Sequence, residues 1–378
     1  MAVFSVFDHQ MMSRAIQLAR KGLYTTRPNP CVGCVIVKDD QILGEGYHQV
    51  AGQGHAEVNA LQQLKDNGFS SEGATAYVTL EPCSHYGRTP PCALGLINAN
   101  IARVVVAVKD ANPQVAGKGI AMLEQAGIQV DVGLLEDEAF DVNLGFMKRM
   151  KTGMPWVTVK VAASIDGKTA LSNGVSKWIT GSAARSDVQR LRARHCALIT
   201  GIETIIADDP QLNVRYEQLG SLKNTLSPSS IHQPIRVILD SKARMTANYQ
   251  LFAITSPILL VTTVDYPEAV KAQFPAHVNV FIASKDLQNR VCLHSVLTHL
   301  GQTCNTVLIE AGATLAGSVI EHNLADELVL YQAAKLLGSA GRNMLQLPDY
   351  HKIEQAPKML LKDKRNVGQD TRFVFRFN

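Results

Sequence analysis

His55 and Glu57 stand two residues apart in G-H-A-E-V-N-A-L (54–61), and Cys83 and Cys92 follow in L-E-P-C-S-H-Y-G-R-T-P-P-C (80–92). One imidazole and two thiols suit zinc, and three protein ligands leave the fourth tetrahedral position open for water. An open position marks a catalytic site. Glu57 beside such a water adds a carboxylate able to carry protons. A structural zinc would want a fourth protein ligand. His85 is the candidate by sequence, but its place beside Tyr86-Gly87-Arg88 suits a substrate-facing loop better.

These residues must be set by particular elements to address one point. Positions two apart on a regular helix do not face each other, so His55 must lie in the turn entering a helix, with Glu57 in its first turn. Cys92 follows Pro90-Pro91 and begins the apolar run A-L-G-L-I, which predicts a helix N-terminus that favours its thiolate. Asp8 is predicted to cap a first helix in which Met11, Met12, Ala15, Leu18 and Ala19 recur at helical spacing up to Lys21-Gly22. Strands are predicted at 31–37, 41–46, 76–80 and 103–108, with helices after His55 and after Cys92. This alternation is an α/β sheet with helices on its faces. Cys31-Val-Gly-Cys34 reads as strand packing rather than a redox or metal pair, because residues three apart on a strand point to opposite faces.

Basic, Gly and Pro residues in Met147–Pro155 break the pattern, and a domain boundary is expected near residue 150. Strands then recur at 156–162, 197–200, 235–240, 258–263, 278–283, 306–310 and 327–331, with an exposed Ser/Asn/Pro-rich insertion between Leu222 and Pro234. The run Glu310 to Gly317, E-A-G-A-T-L-A-G, places a glycine loop between strand and helix, where backbone N–H groups can meet an anion such as phosphate. It is neither a G-x-G-x-x-G nor a P-loop, and an ordinary tight turn explains it equally well. The clusters A-S-I-D-G-K (163–168), S-K-W-I-T (176–180) and T-x-x-x-D-D-P-x-L-x-x-R (204–215) lie near predicted strand ends, where open α/β sheets bind ligands.

The totals agree with two folded domains. The chain has 378 residues, 46% hydrophobic and 19% charged, which excludes disorder as its main character. Residues 1–150 hold 12 Lys+Arg against 15 Asp+Glu, a net −3, and the remainder 25 against 18, a net +7. A moderately basic second half suits phosphorylated small molecules; a nucleic-acid binder would show a dense Lys/Arg stripe, and there is none. Seven cysteines without a secretion-like start favour reduced thiols and a soluble, cytoplasmic protein, with no membrane partner.

The order His-x-Glu, then Pro-Cys and a later Cys, resembles the zinc deaminase signature, except that eight residues lie between Cys83 and Cys92 where the signature has two. Taken with P-N-P-x-V-G (28–33), N-P-x-V-A-G-K-G (112–119), V-I-L-D-S (237–241) and K-L-L-G (335–338), the sequence resembles the bifunctional deaminase/reductase family of riboflavin biosynthesis over nearly its whole length. The resemblance implies a cytidine-deaminase-like α/β/α domain at 1–150 and a dihydrofolate-reductase-like α/β domain at 151–378. The first would hydrolyse the 2-amino group of 2,5-diamino-6-(ribosylamino)pyrimidinone 5'-phosphate with zinc, and the second would reduce the ribosyl side chain to ribityl with NADPH.

Matched residue by residue, the resemblance implies His55, Cys83 and Cys92 as zinc ligands and Glu57 as proton carrier. It implies Ala162, Trp178, Thr204, Asp208, Ser241, Gly312, Ala313, Thr314, Leu315, Ala316, Gly317 and Ser318 as NADP contacts. Ser176, Arg192, Leu212, Arg215 and Glu310 are its substrate contacts in the reductase, with Arg192 and Arg215 as phosphate clamps. Asn29, His85 and Arg88 are expected near the deaminase pocket, and a homo-oligomer, dimer or tetramer, is expected. The competing readings are a nucleic-acid or nucleoside deaminase with an accessory domain, which wants a basic groove with stacking aromatics, and a zinc-stapled scaffold without catalysis.

Overall fold

The computed structural model describes residues 3–86, 90–113 and 115–378, and the chain divides into two compact units, Met1–Gly153 and Met154–Asn378. In the first, the elements are α1 (Val6–Lys21), β1 (Gly33–Lys38), β2 (Gln41–Tyr47), α2 (Ala56–Asp66), β3 (Thr75–Val78), α3 (Cys92–Asn98), β4 (Arg103–Val106), α4 (Lys118–Gln125), β5 (Gln129–Val132), α5 (Glu136–Val142) and α6 (Leu144–Thr152). The sheet order is β2-β1-β3-β4-β5; β1 runs antiparallel to both neighbours, and β3, β4 and β5 are parallel. Strand alternation divides the core. Cys34, Ile36, Ala76, Val78, Val104 and Val106 pack with Ala56, Ala60 and Leu96 from the helices, while Val35, Val37, Tyr77 and Val105 pack with Met12, Ala15 and Ile16 of α1. Helices therefore cover both faces.

Ser5, not Asp8, caps α1. Its hydroxyl accepts the Asp8 N–H at 3.0 Å while the Asp8 carboxylate accepts the Ser5 N–H at 2.8 Å, a reciprocal capping box with Asp8 three residues inside. The basic residues of 147–152 form the end of α6, which Gly153 ends in the left-handed conformation where the first unit stops. Cys31 lies ahead of β1 rather than in it, its sulfur 3.3 Å from the Thr26 hydroxyl; Cys34 alone is strand packing.

The second unit contains β6 (Trp156–Ser164), β7 (Lys168–Ala170), α7 (Ser182–Arg194), β8 (Ala197–Gly201), α8 (Ile202–Asp208), β9 (Ile235–Leu239), β10 (Ile258–Thr262), α9 (Glu268–Lys271), β11 (Val278–Ile282), α10 (Leu293–Gly301), β12 (Thr306–Glu310), α11 (Ala313–Glu321), β13 (Glu327–Ala333), β14 (Arg342–Asn343), β15 (Met359–Val367) and β16 (Asp370–Phe377). Nine strands form one sheet in the order β11-β10-β9-β8-β12-β6-β13-β16-β15, parallel from β11 to β13 and antiparallel through the last hairpin. The parallel strands β8, β9 and β12 end nearly level, so the loops after them share one edge, which β6 overruns by four residues alongside β13. That edge is where ligands meet such sheets. The hairpin β15–β16 was not legible: M-L-L-K-D-K-R-N-V has no alternation, and it is a strand because β16 pairs with it along its length. The 222–234 insertion is largely exposed but tied down, with the Gln233 side chain bonded to both backbone groups of Val214.

Candidate functional site

In the first unit, His55 is the residue preceding α2, extended at φ −73° and ψ 169°, and its side chain makes no helix cap. The ring is therefore free to point at the end of β3. Gly46 of β2 allows the helix to start so close: a Cβ there would stand 2.2 Å from the Ala56 carbonyl oxygen. Glu57, one residue into the helix, is 3% exposed, and burial pushes its carboxyl up to about 7. Cys83 follows the extension of β3, and Cys92 is the first residue of α3.

His55 Nδ1 lies 3.2 Å from Cys92 Sγ and 3.6 Å from Cys83 Sγ, and the three ligand atoms all fall within 4.8 Å of one another. Tetrahedral zinc with sulfur at about 2.3 Å and nitrogen at about 2.0 Å sets its ligand atoms roughly 3.5–3.8 Å apart. The triad fits zinc. Among the described residues it is the one group of three or more His, Cys, Asp or Glu side chains so arranged, and His85 is exposed and outside it. Cys92 opens α3, as its place after Pro90-Pro91 predicted, and the same helix start serves Cys83 as well. The N–H of Cys92 at the helix start is donated to Cys83 Sγ at 3.3 Å, so the helix terminus favours the Cys83 thiolate. Hydrogen bonding from the Cys92 thiol, with His55 and that N–H, pulls the Cys83 thiol well down, while sharing with Cys83 and burial push Cys92 up.

Around the triad stand residues whose roles sequence reasoning left open or missed. Asn29 Nδ2 donates to His48 Nε2 at 3.2 Å, which leaves His48 Nδ1–H to donate to the Gly54 carbonyl at 3.1 Å. Burial pushes the His48 pKa down, and the neutral ring packs edge-on to His55 at 5.4 Å. Buried Glu81, two residues before Cys83, accepts the N–H groups of Asp110, Gly117, Gly119 and Ile120 at 2.9–3.3 Å. The L-E-P-C run was the only signal for it. Residues 87–89, with the expected Arg88 contact, lie outside the described residues.

In the second unit, Glu310 ends β12 and faces Lys160 of β6 in register. Arg192, in the last turn of α7, donates to both Glu310 oxygens at 2.7 and 3.0 Å and to the Asn213 carbonyl at 2.9 Å. The Arg192 guanidinium is thus engaged by Glu310 and Asn213, whereas Arg215 is exposed. Burial pushes the Lys160 pKa down, partly opposed by Glu310. The only trace of Lys160 in the sequence was one lysine inside V-T-V-K-V-A.

The remaining expected contacts lie on β6 or in segments near the strand ends of the second sheet, some exposed and some buried. Ala162 is half-buried on β6, Thr204 and Asp208 lie on α8 after β8, and Ser241 follows β9. Ser176 and Trp178 are exposed on the loop before α7, Trp178 to 64%. Leu212 is buried in the core with φ 55°, so only its backbone is available to a ligand. Gly312 precedes α11; Gly312 to Leu315 reach the surface, whereas Ala316 and Gly317 are buried, Gly317 beneath Gln346. Ser318 Oγ is taken up 3.4 Å from His322 Nδ1.

Two family models match the chain: the cytidine and deoxycytidylate deaminase zinc-binding region at residues 5–108, and the RibD C-terminal domain at 155–373. The riboflavin biosynthesis protein RibD of Haemophilus influenzae is 48% identical over 377 residues, 99% of each chain, and that of Escherichia coli 46% over 370, covering 96% of this chain and 97% of the other. The chain belongs to the RibD family. RibD of Acinetobacter baumannii superposes with a TM-score of 0.88 at 45% identity, covering 98% of this chain and 99% of that one. A Thermotoga maritima structure named as a diaminohydroxyphosphoribosylaminopyrimidine deaminase/5-amino-6-(5-phosphoribosylamino)uracil reductase does so with 0.85 at 31% identity and the same coverage. Like its RibD relatives, the chain is a bifunctional deaminase and reductase of riboflavin biosynthesis, with zinc and NADPH as cofactors. The nucleic-acid deaminase reading is not favoured. No helix among the described residues is long and apolar enough to cross a membrane.

Proposed function

We propose that the unit Met1–Gly153 hydrolyses the 2-amino group of 2,5-diamino-6-(ribosylamino)pyrimidinone 5'-phosphate, and that Met154–Asn378 then reduces the ribosyl side chain to ribityl. The observation that carries the first half is the convergence of His55 Nδ1, Cys83 Sγ and Cys92 Sγ beside a buried carboxyl. The name of the Thermotoga structure supports the substrate. His55, Cys83 and Cys92 hold zinc, which when bound supplies the Lewis acidity that makes water nucleophilic near neutral pH. Glu57 takes the proton from the attacking water and delivers it to the departing amine, a task suited to a carboxyl with a pKa near 7. Asn29 and His48 fix the His55 side of the pocket.

In the second half NADPH supplies the hydride. The open start of α11 at Gly312 to Leu315 presents N–H groups to the dinucleotide phosphates, and Trp178, Thr204, Asp208 and Ser241 lie in segments near the strand ends. Arg215 takes the substrate phosphate. Lys160, a half-buried cation whose proton desolvation makes easier to release, donates to the oxygen freed when the sugar ring opens, with Glu310 opposite it on β12. A cytoplasmic homo-oligomer completes the proposal. It is supported by Met359, Leu360 and Leu361, which lie exposed on the edge strand β15.

Glu57→Gln tests the first half. It is expected to keep zinc and to lower ammonia release by about 10²–10⁴-fold, while NADPH oxidation on pre-deaminated substrate continues. Deamination at the wild-type rate in the zinc-loaded variant would refute the role of Glu57.

A further inference from the structure

Asp166 and Lys335 come from distant parts of the chain, the motifs A-S-I-D-G-K and K-L-L-G, and are joined in one assembly. The Asp166 carboxylate accepts the N–H groups of Leu337 at 3.0 Å and Gly338 at 2.8 Å, and the Ser164 hydroxyl donates to it as well. The Ile165 N–H donates to the Lys335 carbonyl at 3.0 Å, so the loops after β6 and β13 are pinned to each other. From there Lys335 Nζ reaches out and donates to the Trp178 carbonyl at 2.8 Å.

The loop it reaches has little packing of its own. Val175 and Trp178 are exposed, and polar ties do most of the holding: Lys177 to Asp208 at 3.0 Å, and Arg185 to the Thr180 carbonyl at 2.9 Å with its guanidinium 4.4 Å from the centre of the Trp178 ring. Segments with few buried contacts open at low free energy, so each tie shifts the fraction of time the loop stays set. Lys335 is the tie that joins this loop to the 335–338 loop; Asp208 of α8 and Asp370 of β16, which accepts the Gly181 N–H at 2.7 Å, hold it from other sides.

We infer that Asp166 and Lys335 are positioning residues for the reductase cofactor: Asp166 fixes the 335–338 loop, and Lys335 uses that fixed loop to brace residues 176–180 before NADPH binds. This rests on the reading that Ser176 and Trp178 contact substrate and NADP. Neither bracing residue touches the reacting atoms, so their loss reduces the population competent to bind rather than the chemical step. Affinity then falls in proportion to that population.

The test uses the full-length, zinc-loaded enzyme with Asp166→Asn, Lys335→Met and, as the conservative variant, Lys335→Arg. NADPH KM and kcat are measured on pre-deaminated substrate, NADPH binding by quenching of tryptophan emission, and ammonia release in parallel. Asp166→Asn and Lys335→Met are each expected to raise NADPH KM about tenfold with kcat little changed, as the loss of a charge-assisted bond implies. The fluorescence titration should shift by the same factor, Lys335→Arg should restore it, and ammonia release should not move. Unchanged NADPH KM in both variants, with a raised KM in Trp178→Ala, would overturn the brace alone. An unchanged KM in Trp178→Ala would overturn the reading of the loop as a cofactor contact, and the brace with it. If Asp166→Asn fails to fold, Lys335→Met decides, because its side chain is exposed.

Discussion

The Glu81 carboxylate accepts the Gly119 N–H at 3.0 Å, which fastens the first turn of α4 against Pro82, the residue before the first cysteine of the zinc triad. A Cβ on Gly119 would stand 2.0 Å from the Pro82 carbonyl oxygen, so the two backbones meet only because this residue is glycine. Gly119→Ala is therefore expected to displace Cys83, lowering zinc content and deamination while NADPH oxidation on pre-deaminated substrate survives. Glu81→Gln turns an amide N–H₂ toward buried donors, and a cost of about 2–3 kcal/mol is expected in the unfolding of the first unit. Zinc analysis and denaturant titration check both, and unchanged zinc content in Gly119→Ala would contradict the clamp.

Lys160→Met removes the proposed proton donor and keeps the side-chain volume. A fall in reductase kcat of about 10²-fold or more is expected, with NADPH KM nearly unchanged. Steady-state kinetics would disprove the role if kcat held.

The two arginines expected as phosphate clamps should separate. Arg215→Gln is expected to raise the KM for the phosphorylated substrate about tenfold and to leave protein stability alone, because its side chain is exposed. Arg192→Met leaves Glu310 without the partner that holds its two oxygens, and about 3 kcal/mol of destabilisation is expected. Thermal unfolding of both variants distinguishes clamp from brace.

Asp8 makes acid stability predictable. Burial pushes its carboxyl up, but hydrogen bonds from Tyr77, Arg103 and Ser5 outweigh this and hold it well below the usual carboxylate range. A depressed folded-state pKa stabilises the protein fully above the unfolded value of about 3.9 and loses that contribution as pH falls through the folded value. Asp8→Asn is expected to cost about 2 kcal/mol at pH 7, and the gap to wild type should narrow only below about pH 4. A gap that does not change with acidification would exclude this origin.

Residue types and spacing were enough to state the chemistry of the first half. Two thiols, an imidazole and a carboxylate carry their reactivity wherever they sit, and a helix start after His55 follows from local rules that tertiary packing did not override. The α/β pattern of both halves was legible for the same reason: buried parallel strands are apolar runs. The edge hairpin was not, because a strand exposed over most of its length owes its conformation to its partner.

What only the folded chain decided is which charges meet. The sequence held no sign that the end of β12 brings Glu310 to Arg192 in a two-oxygen ion pair. It gave no role to Lys160 or Glu81, whose partners are far away along the chain. It placed Cys92 at a helix start but gave no sign that Cys83 would accept the first N–H of that helix. Ligand identity is a property of side chains and was readable in one dimension; protonation and pairing depend on distances of a few ångströms between distant residues, and those exist only in three.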